Sequence, residues 1–230
     1  MIRKLVKYLS EYITEERFQK FNRYIENRTR YITIVLEDIY QPHNASAILR
    51  TCDCFGIQDV HIIENKNKYI INPDVELGSS KWLNLIKYNK NNFNTPEALE
   101  NLKANGYRII ATTPHKESLE LENYNLSEGK TALIFGTELN GLTKYALDNA
   151  DGYLKIPMFG FTESFNISVS SAIFLYNLTT RLKISSIKWQ LNEEDKNRII
   201  LSWLRNSIKD ASLIEKKYFE MTNNKNTFFD

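Results

Sequence analysis

Short apolar runs recur along this chain at intervals that leave room for a helix between them. Residues 31–37 (YITIVLE), 59–64 (DVHIIE), 107–113 (YRIIATT), 131–136 (TALIFG) and 152–158 (GYLKIPM) are rich in branched and aromatic residues and read as strands, 107–113 and 131–136 being of the fully buried type. Between them the period changes to that of a helix. Thr14, followed by Glu15 and Glu16, opens one in which Phe18, Phe21 and Ile25 recur at helical spacing. Asn44 as cap and Gly56 as stop bound a second over 44–55. Thr95 as cap, Pro96 in first position and Gly106 just past the end bound a third. A short helix over 142–150 and a longer one from Asn166 to Leu182 follow, the latter with Val169, Ile173 and Tyr176 on one face. Residues 183–230 read as a long amphipathic helix or a pair.

Strands alternating with helices predict an α/β fold whose mostly parallel sheet is covered on both faces. In such sheets sites form beyond the carboxyl ends of the strands. That rule selects the segments after Glu37, Thr113, Gly136 and Met158.

At 230 residues the chain suits one domain with appendages: a basic helical arm over 1–30, a core over 31–182 and a helical extension over 183–230. The formal net charge is only +2, but residues 1–30 carry +4 and 183–230 carry +2, leaving −4 on the core. Basic ends on an acidic core suit contact with a polyanion, and Arg17, Lys20 and Arg23 are the candidates for it. Cys52 and Cys54 are two apart on one helix and point to different sides, so they form no mutual disulfide. No secretory leader and no apolar run of about 18 residues is present, and the cytoplasm is the expected compartment, without membrane contact.

Several chemistries are missing. There is no G-x-G-x-x-G after a strand, no P-loop lysine after the glycines of GTELNGLTK, and no G-x-S-x-G. His43, His61 and His115 are scattered and form no metal pattern, so no structural metal is expected. What remains is a set of polar residues at strand ends: Glu37, Asn44 with Arg50, Glu138 with Asn140, and Ser164 with Asn166. Arg50 stands among apolar helix positions and needs an anionic or carbonyl partner. Two readings stay open on spacing alone: a structural ion pair, for instance to Glu138, or a site for a ligand.

Three segments, in order, resemble the SpoU/TrmH family of RNA 2′-O-ribose methyltransferases of the SPOUT superfamily. They are LEDIYQPHNASAILRTCDCFGIQDVHII (36–63), TALIFGTELNGLTKYALDNADGYLKIPM (131–158) and SFNISVSSAIFLY (164–176), with GSSKWL (78–83) also fitting. The resemblance implies an α/β fold with a C-terminal trefoil knot, a homodimer with its active site near the subunit interface, and S-adenosylmethionine as methyl donor. It implies catalytic roles for Arg50, Asn44, Glu138, Asn166 and Ser164, with Ser168 beside them, and RNA contact for Asn44 and Arg50. It places the donor against Thr112, Gly136, Ile156 and Phe165, with Met158 nearby. For Ile156 and Phe165 a place in the core is the rival reading. The short basic arm and helical extension are similar to the branch that methylates guanosine 18 of the tRNA D-loop. Another tRNA or rRNA ribose, or a non-catalytic RNA-binding protein on the same fold, are the alternatives.

Overall fold

A computed structural model describes residues 2–114 and 118–226. In chain order its elements are α1 (Ile2–Ser10), α2 (Glu15–Ile25), β1 (Ile32–Glu37), α3 (Pro42–Phe55), β2 (Asp59–Ile63), α4 (Pro73–Glu76), β3 (Asn84–Tyr88) and α5 (Thr95–Ala104). They continue as β4 (Tyr107–Thr112), β5 (Leu119–Glu120), β6 (Lys130–Phe135), α6 (Lys144–Asp148), β7 (Gly152–Lys155), α7 (Ile167–Ile184), α8 (Glu193–Ser207) and α9 (Ala211–Asn226).

The seven strands form one sheet in the order β3-β2-β1-β6-β4-β7-β5, and every described pairing is parallel. Ile34 pairs with Val60 on one side and Leu133 on the other, and Ile110 pairs with Leu133. The chain steps outward from β1 through β2 to β3, then crosses to β4 and returns to place β6 between β1 and β4. Such a reversal opens a crevice at the carboxyl ends of the strands involved.

Strand alternation divides the core between the two faces. Ile34, Leu36, Leu133 and Phe135 face α3 and α7, where Ile48, Leu49, Cys52, Phe174, Leu175 and Leu178 meet them. Val35, Ala132 and Ile134 point the other way, toward Ala98, Leu99 and Leu102 of α5 and Ala146 of α6. Burial on both sides explains why these strands read as continuous apolar runs.

Helix starts depart from the sequence reading at two places. Asn44 is not the cap of α3. The helix begins at Pro42, with Gln41 in the cap position, so Asn44 lies inside the first turn with its side chain turned inward. Proline suits the first helical position because its missing N–H has no partner there anyway. Thr95 is likewise the first residue of α5, capped in position by Asn94, and its hydroxyl donates to Glu37 Oε1 at 2.5 Å instead of capping. Other signals hold. Thr14 Oγ1 accepts from Arg17 N at 3.3 Å, and Gly56 closes α3 with φ of 76°. Asn166 caps α7 by accepting from Ser168 N at 2.9 Å.

Contacts divide the chain into two compact units, 29–189 and a helical one in which Met1–Arg28 joins the residues from Gln190 onward. In the helical unit α1 and α2 pack on α8, burying Leu5, Val6, Leu9 and Phe21 with Ile200, Trp203 and Leu204. Phe21 meets Trp203 edge to face at 5.5 Å, and Lys196 Nζ bonds Glu26 at 2.8 Å. The 183–230 segment thus holds two helices, α8 and α9, after the end of α7, and α1 precedes the first helix legible in sequence. Among the described residues no helix is long and apolar enough to cross a membrane.

Candidate active site

Three strand ends of the central sheet, those of β4, β6 and β7, meet at one crevice, and the end of β1 lies outside its wall. Glu37 ends β1, Thr112 ends β4, Gly136 follows β6 and Ile156 follows β7. Glu37 is almost wholly buried and is spent on architecture. Its Oε1 accepts from the hydroxyls of Thr95 and Thr143, at 2.5 and 2.8 Å, and its Oε2 accepts from Thr143 N at 2.8 Å. One carboxylate thereby holds the starts of α5 and α6 against β1.

The turn after β6 is shaped by backbone proximity. Thr137 and Gly141 exchange N–H···O bonds at 3.0 and 2.9 Å, and Gly141 has φ of 64°. A Cβ on Gly136 would lie 2.1 Å from the carbonyl carbon of Gly141. Only glycine therefore lets the chain fold back so tightly.

This turn, the end of β4 and the segment after β7 enclose a cavity of about 610 Å³. Thr112, Gly136, Ile156, Met158 and Phe165 all line it, as do Glu138, Ser164 and Asn166. Ile156 also packs on the core, whereas Phe165 is exposed and takes no core role. Phe135, Leu142, Leu147, Leu154 and Phe174 give the cavity an apolar bed. A largely apolar pocket of this size with a few convergent polar groups suits a nucleoside-sized ligand.

Asn44 reaches the rim through hydrogen bonds. Its Nδ2 donates to Gln41 Oε1 at 2.8 Å and to Glu138 Oε1 at 2.5 Å, and its Oδ1 accepts from Asn166 Nδ2 at 3.1 Å. Asn166 Oδ1 accepts in turn from Ser168 Oγ at 2.6 Å. The network joins three sequence segments and orients each amide. It leaves one demand open, because Glu138 Oε2 is buried with no hydrogen-bond partner among the described residues. A buried carboxylate oxygen in that state calls for a donor or a cation from a ligand. Gln41 was not visible as a site residue in the sequence; the only signal was its place before the Pro-His-Asn run.

The remaining candidates lie elsewhere. Arg50 is exposed on α3 and is not part of the cavity wall. Six residues turn a helix through about 600°, which sets Arg50 roughly a third of a turn away from Asn44 around the axis. Glu138 is not its ion-pair partner: that carboxylate bonds Asn44, and Arg50 forms no ion pair among the described residues. Arg17, Lys20 and Arg23 are exposed on α2, with Lys20 bonded to Glu16 at 2.7 Å and Arg23 to the Tyr24 hydroxyl at 2.9 Å.

Of the histidines, His43 is exposed, and His115 lies outside the described residues. His61 is buried on β2, stacked on Tyr88 with its Nδ1 3.0 Å from the Tyr88 hydroxyl. Burial pulls its pKa down to about 4, against a smaller upward pull from Asp59. Neither Cys52 nor Cys54 is in a disulfide; the first is buried and the second exposed. Among the described residues no group of three or more His, Cys, Asp or Glu is placed to hold a metal.

Comparison with known proteins gives three concordant findings. The SpoU rRNA Methylase family model matches residues 31–176. The chain is 47% identical over 212 residues to the tRNA (guanosine(18)-2′-O)-methyltransferase of Borreliella burgdorferi, covering 92% of this chain and 95% of that protein. It is 32% identical over 194 residues to the protein of the same name from Thermus thermophilus, covering 84% and 97%. Among solved structures, the A. aeolicus TrmH/SpoU tRNA modifying enzyme aligns with a TM-score of 0.75 at 29% identity, over 85% of this chain and 98% of that one.

Proposed function

The chain belongs to the SpoU methylase family, and from that premise we propose that it methylates a ribose 2′-hydroxyl of tRNA, at guanosine 18, with S-adenosylmethionine as donor. The observation that carries the reading is the polar network of Asn44, Glu138 and Asn166 at the rim of an apolar cavity, in a chain matched nearly end to end by the Borreliella enzyme. A non-catalytic RNA-binding protein would have no use for a buried carboxylate oxygen left open at that rim.

The cavity fits the donor: its apolar bed suits the adenine, and the open oxygen of Glu138 suits positive charge beside it. When bound, S-adenosylmethionine supplies a methyl group made electrophilic by its sulfonium. Thr112, Gly136, Ile156, Met158 and Phe165 would hold it.

This chain's residues have three tasks. Asn44 and Asn166, locked to each other, orient the ribose. Glu138 fixes Asn44 and keeps one oxygen for the bound groups. The 2′-hydroxyl is a poor nucleophile until its proton leaves, and the guanidinium of Arg50 stabilises the developing oxyanion while gripping the neighbouring phosphate. A guanidinium is a donor with no acceptor site, so the proton passes to a phosphate oxygen or water. Ser164 on the cavity wall adds a hydroxyl for the sugar.

We assign a homodimer to the working state. Val169, Tyr176 and Ile184 form an exposed apolar stripe on α7, and Phe55 of α3 meets Tyr176 edge to face at 6.4 Å. Arg50 is exposed on the same α3, which packs on α7, so a second copy seated there would enclose it. Cysteines outside any disulfide agree with the cytoplasm as the place of action. Incubating the protein with an unmodified tRNA transcript and methyl-labelled S-adenosylmethionine, then mapping the label, tests the reading. Methyl on the ribose of guanosine 18 is expected; label on another nucleotide, or none, overturns it.

A further inference from the structure

Two phenylalanines project from the segment that closes the cavity. Phe159 and Phe161 are 98% and 110% exposed, the most exposed large apolar residues described in the chain. Neither ring has a contact with another aromatic ring or a cation among the described residues. Their segment, Met158–Ser164 (MFGFTES), is tethered to the cavity wall at both ends, because Met158 and Ser164 line it. Phe161 is three residues from each tether, so its Cα stays within about 11 Å of both. An added Cβ on Gly160 would meet nothing within 4 Å, so the space around the tip is open.

We infer that Phe159 and Phe161 form a stacking platform for a base of the RNA substrate, the target base or its immediate neighbour. The inference rests on the proposed methyl transfer to RNA and adds how the base is held. A ribose brought to the rim at Asn166 carries its base one glycosidic bond away, and a base taken out of its own stack loses stacking that the protein must replace. Exposed aromatic rings do this for any base, because each base has a π-face. The surroundings favour a base over a protein partner. Gly160, Thr162 and Glu163 between and beside the rings are exposed and carry no large apolar side chain, so the tip alternates aromatic and non-aromatic positions and does not form an unbroken apolar run of the kind a protein interface favours. Lys155, half-buried in the cavity wall, sets a cation on the same side for the phosphate that accompanies the base.

The test separates a π-face from mere apolar bulk. Full-length wild type, F159L/F161L and F159W/F161W are compared with an unmodified tRNA transcript for RNA KM, S-adenosylmethionine Kd, mass by light scattering and tryptophan emission. The leucine variant should raise the RNA KM about tenfold or more, in line with the loss of one to two base–aromatic stacks. Its cofactor affinity and mass should match wild type. The tryptophan variant should restore the KM to within about threefold of wild type, and the emission added by its two new rings should be quenched by saturating tRNA. The inference is overturned if the leucine variant keeps the wild-type KM, if it changes mass, which would make a second copy the occupant, or if tRNA leaves the added emission unchanged. Failure of wild type to methylate the transcript would count against the proposed function instead, since the emission readout needs binding alone.

Discussion

Asn44 Nδ2 donates to Glu138 Oε1 at 2.5 Å across 94 residues of sequence, and this bond joins the first turn of α3 to the turn after β6. Removing it leaves neither oxygen of the half-buried Glu138 carboxylate bonded to the described protein, Oε2 being the buried one. Asn44→Ala should lower unfolding free energy by about 1–3 kcal/mol, the cost of stranding a buried polar group. Asn44→Asp should cost more near neutral pH, because it sets a second carboxylate against the first. Urea denaturation of both variants measures this; an alanine variant as stable as wild type would mean the bond is not formed in solution.

Arg50→Ala should separate catalysis from folding. The side chain is exposed and forms no described ion pair, so stability should change by no more than about 0.5 kcal/mol. Turnover should fall by roughly a hundredfold or more, the scale of losing an oxyanion donor. Donor affinity should persist, since Arg50 is not in the cavity wall. Early melting with loss of donor binding would assign the arginine a structural role.

Glu37→Ala should be among the most destabilising single changes. It strands the Thr143 N–H and the hydroxyls of Thr95 and Thr143, and it leaves a void beneath α5 and α6. A loss of at least about 3 kcal/mol is expected. Calorimetry showing less than about 1 kcal/mol would refute the anchoring role.

His61 should make stability depend on pH. Its folded pKa of about 4 lies below the ordinary value of 6.5, so the folded state binds fewer protons between the two. The contribution is fully present above about pH 6.5 and drains away as pH falls toward 4, amounting to roughly 3 kcal/mol. Denaturation midpoints at pH 7.5 and pH 5 should differ in wild type and differ less in His61→Gln. Equal slopes in the two proteins would remove His61 as the source.

Neutralising Arg17, Lys20 and Arg23 together should weaken tRNA binding and flatten its dependence on salt by up to about three counterions. The exposed bond from Lys20 to Glu16 is weak enough for RNA to displace it. Donor affinity should not change. A salt slope equal to wild type would leave these charges as a solvated helix face.

Five of the seven described strands were legible in sequence because they rest on local rules, whereas the edge strands β3 and β5 were not among the runs read as strands. Short β-rich apolar runs marked the strands, and the carboxyl-end rule together with the family resemblance picked Thr112, Gly136, Ile156 and Glu138, which one crevice gathers. Long-range partners left no periodic trace. Asn44 looked like a cap because asparagine is a good one, and only Pro42 two residues earlier signalled that the helix had begun. Thr95 looked like a cap for the same reason, while its hydroxyl was committed to Glu37, 58 residues away. α1 has no acidic first turn to announce it.

The helical unit imposes an order on synthesis. Leu5, Val6, Leu9 and Phe21 leave the ribosome well before the helix that covers them, because α8 is made only after the whole 29–189 unit. At about 5–20 residues per second the wait is on the order of ten to thirty seconds. During that time a basic, amphipathic segment is exposed on the nascent chain, while the 29–189 unit that follows it can already fold. A ribosome that stalls before Glu193 would therefore display the 29–189 unit beside an uncovered, cationic helical segment, open to chaperones and to the RNA around it.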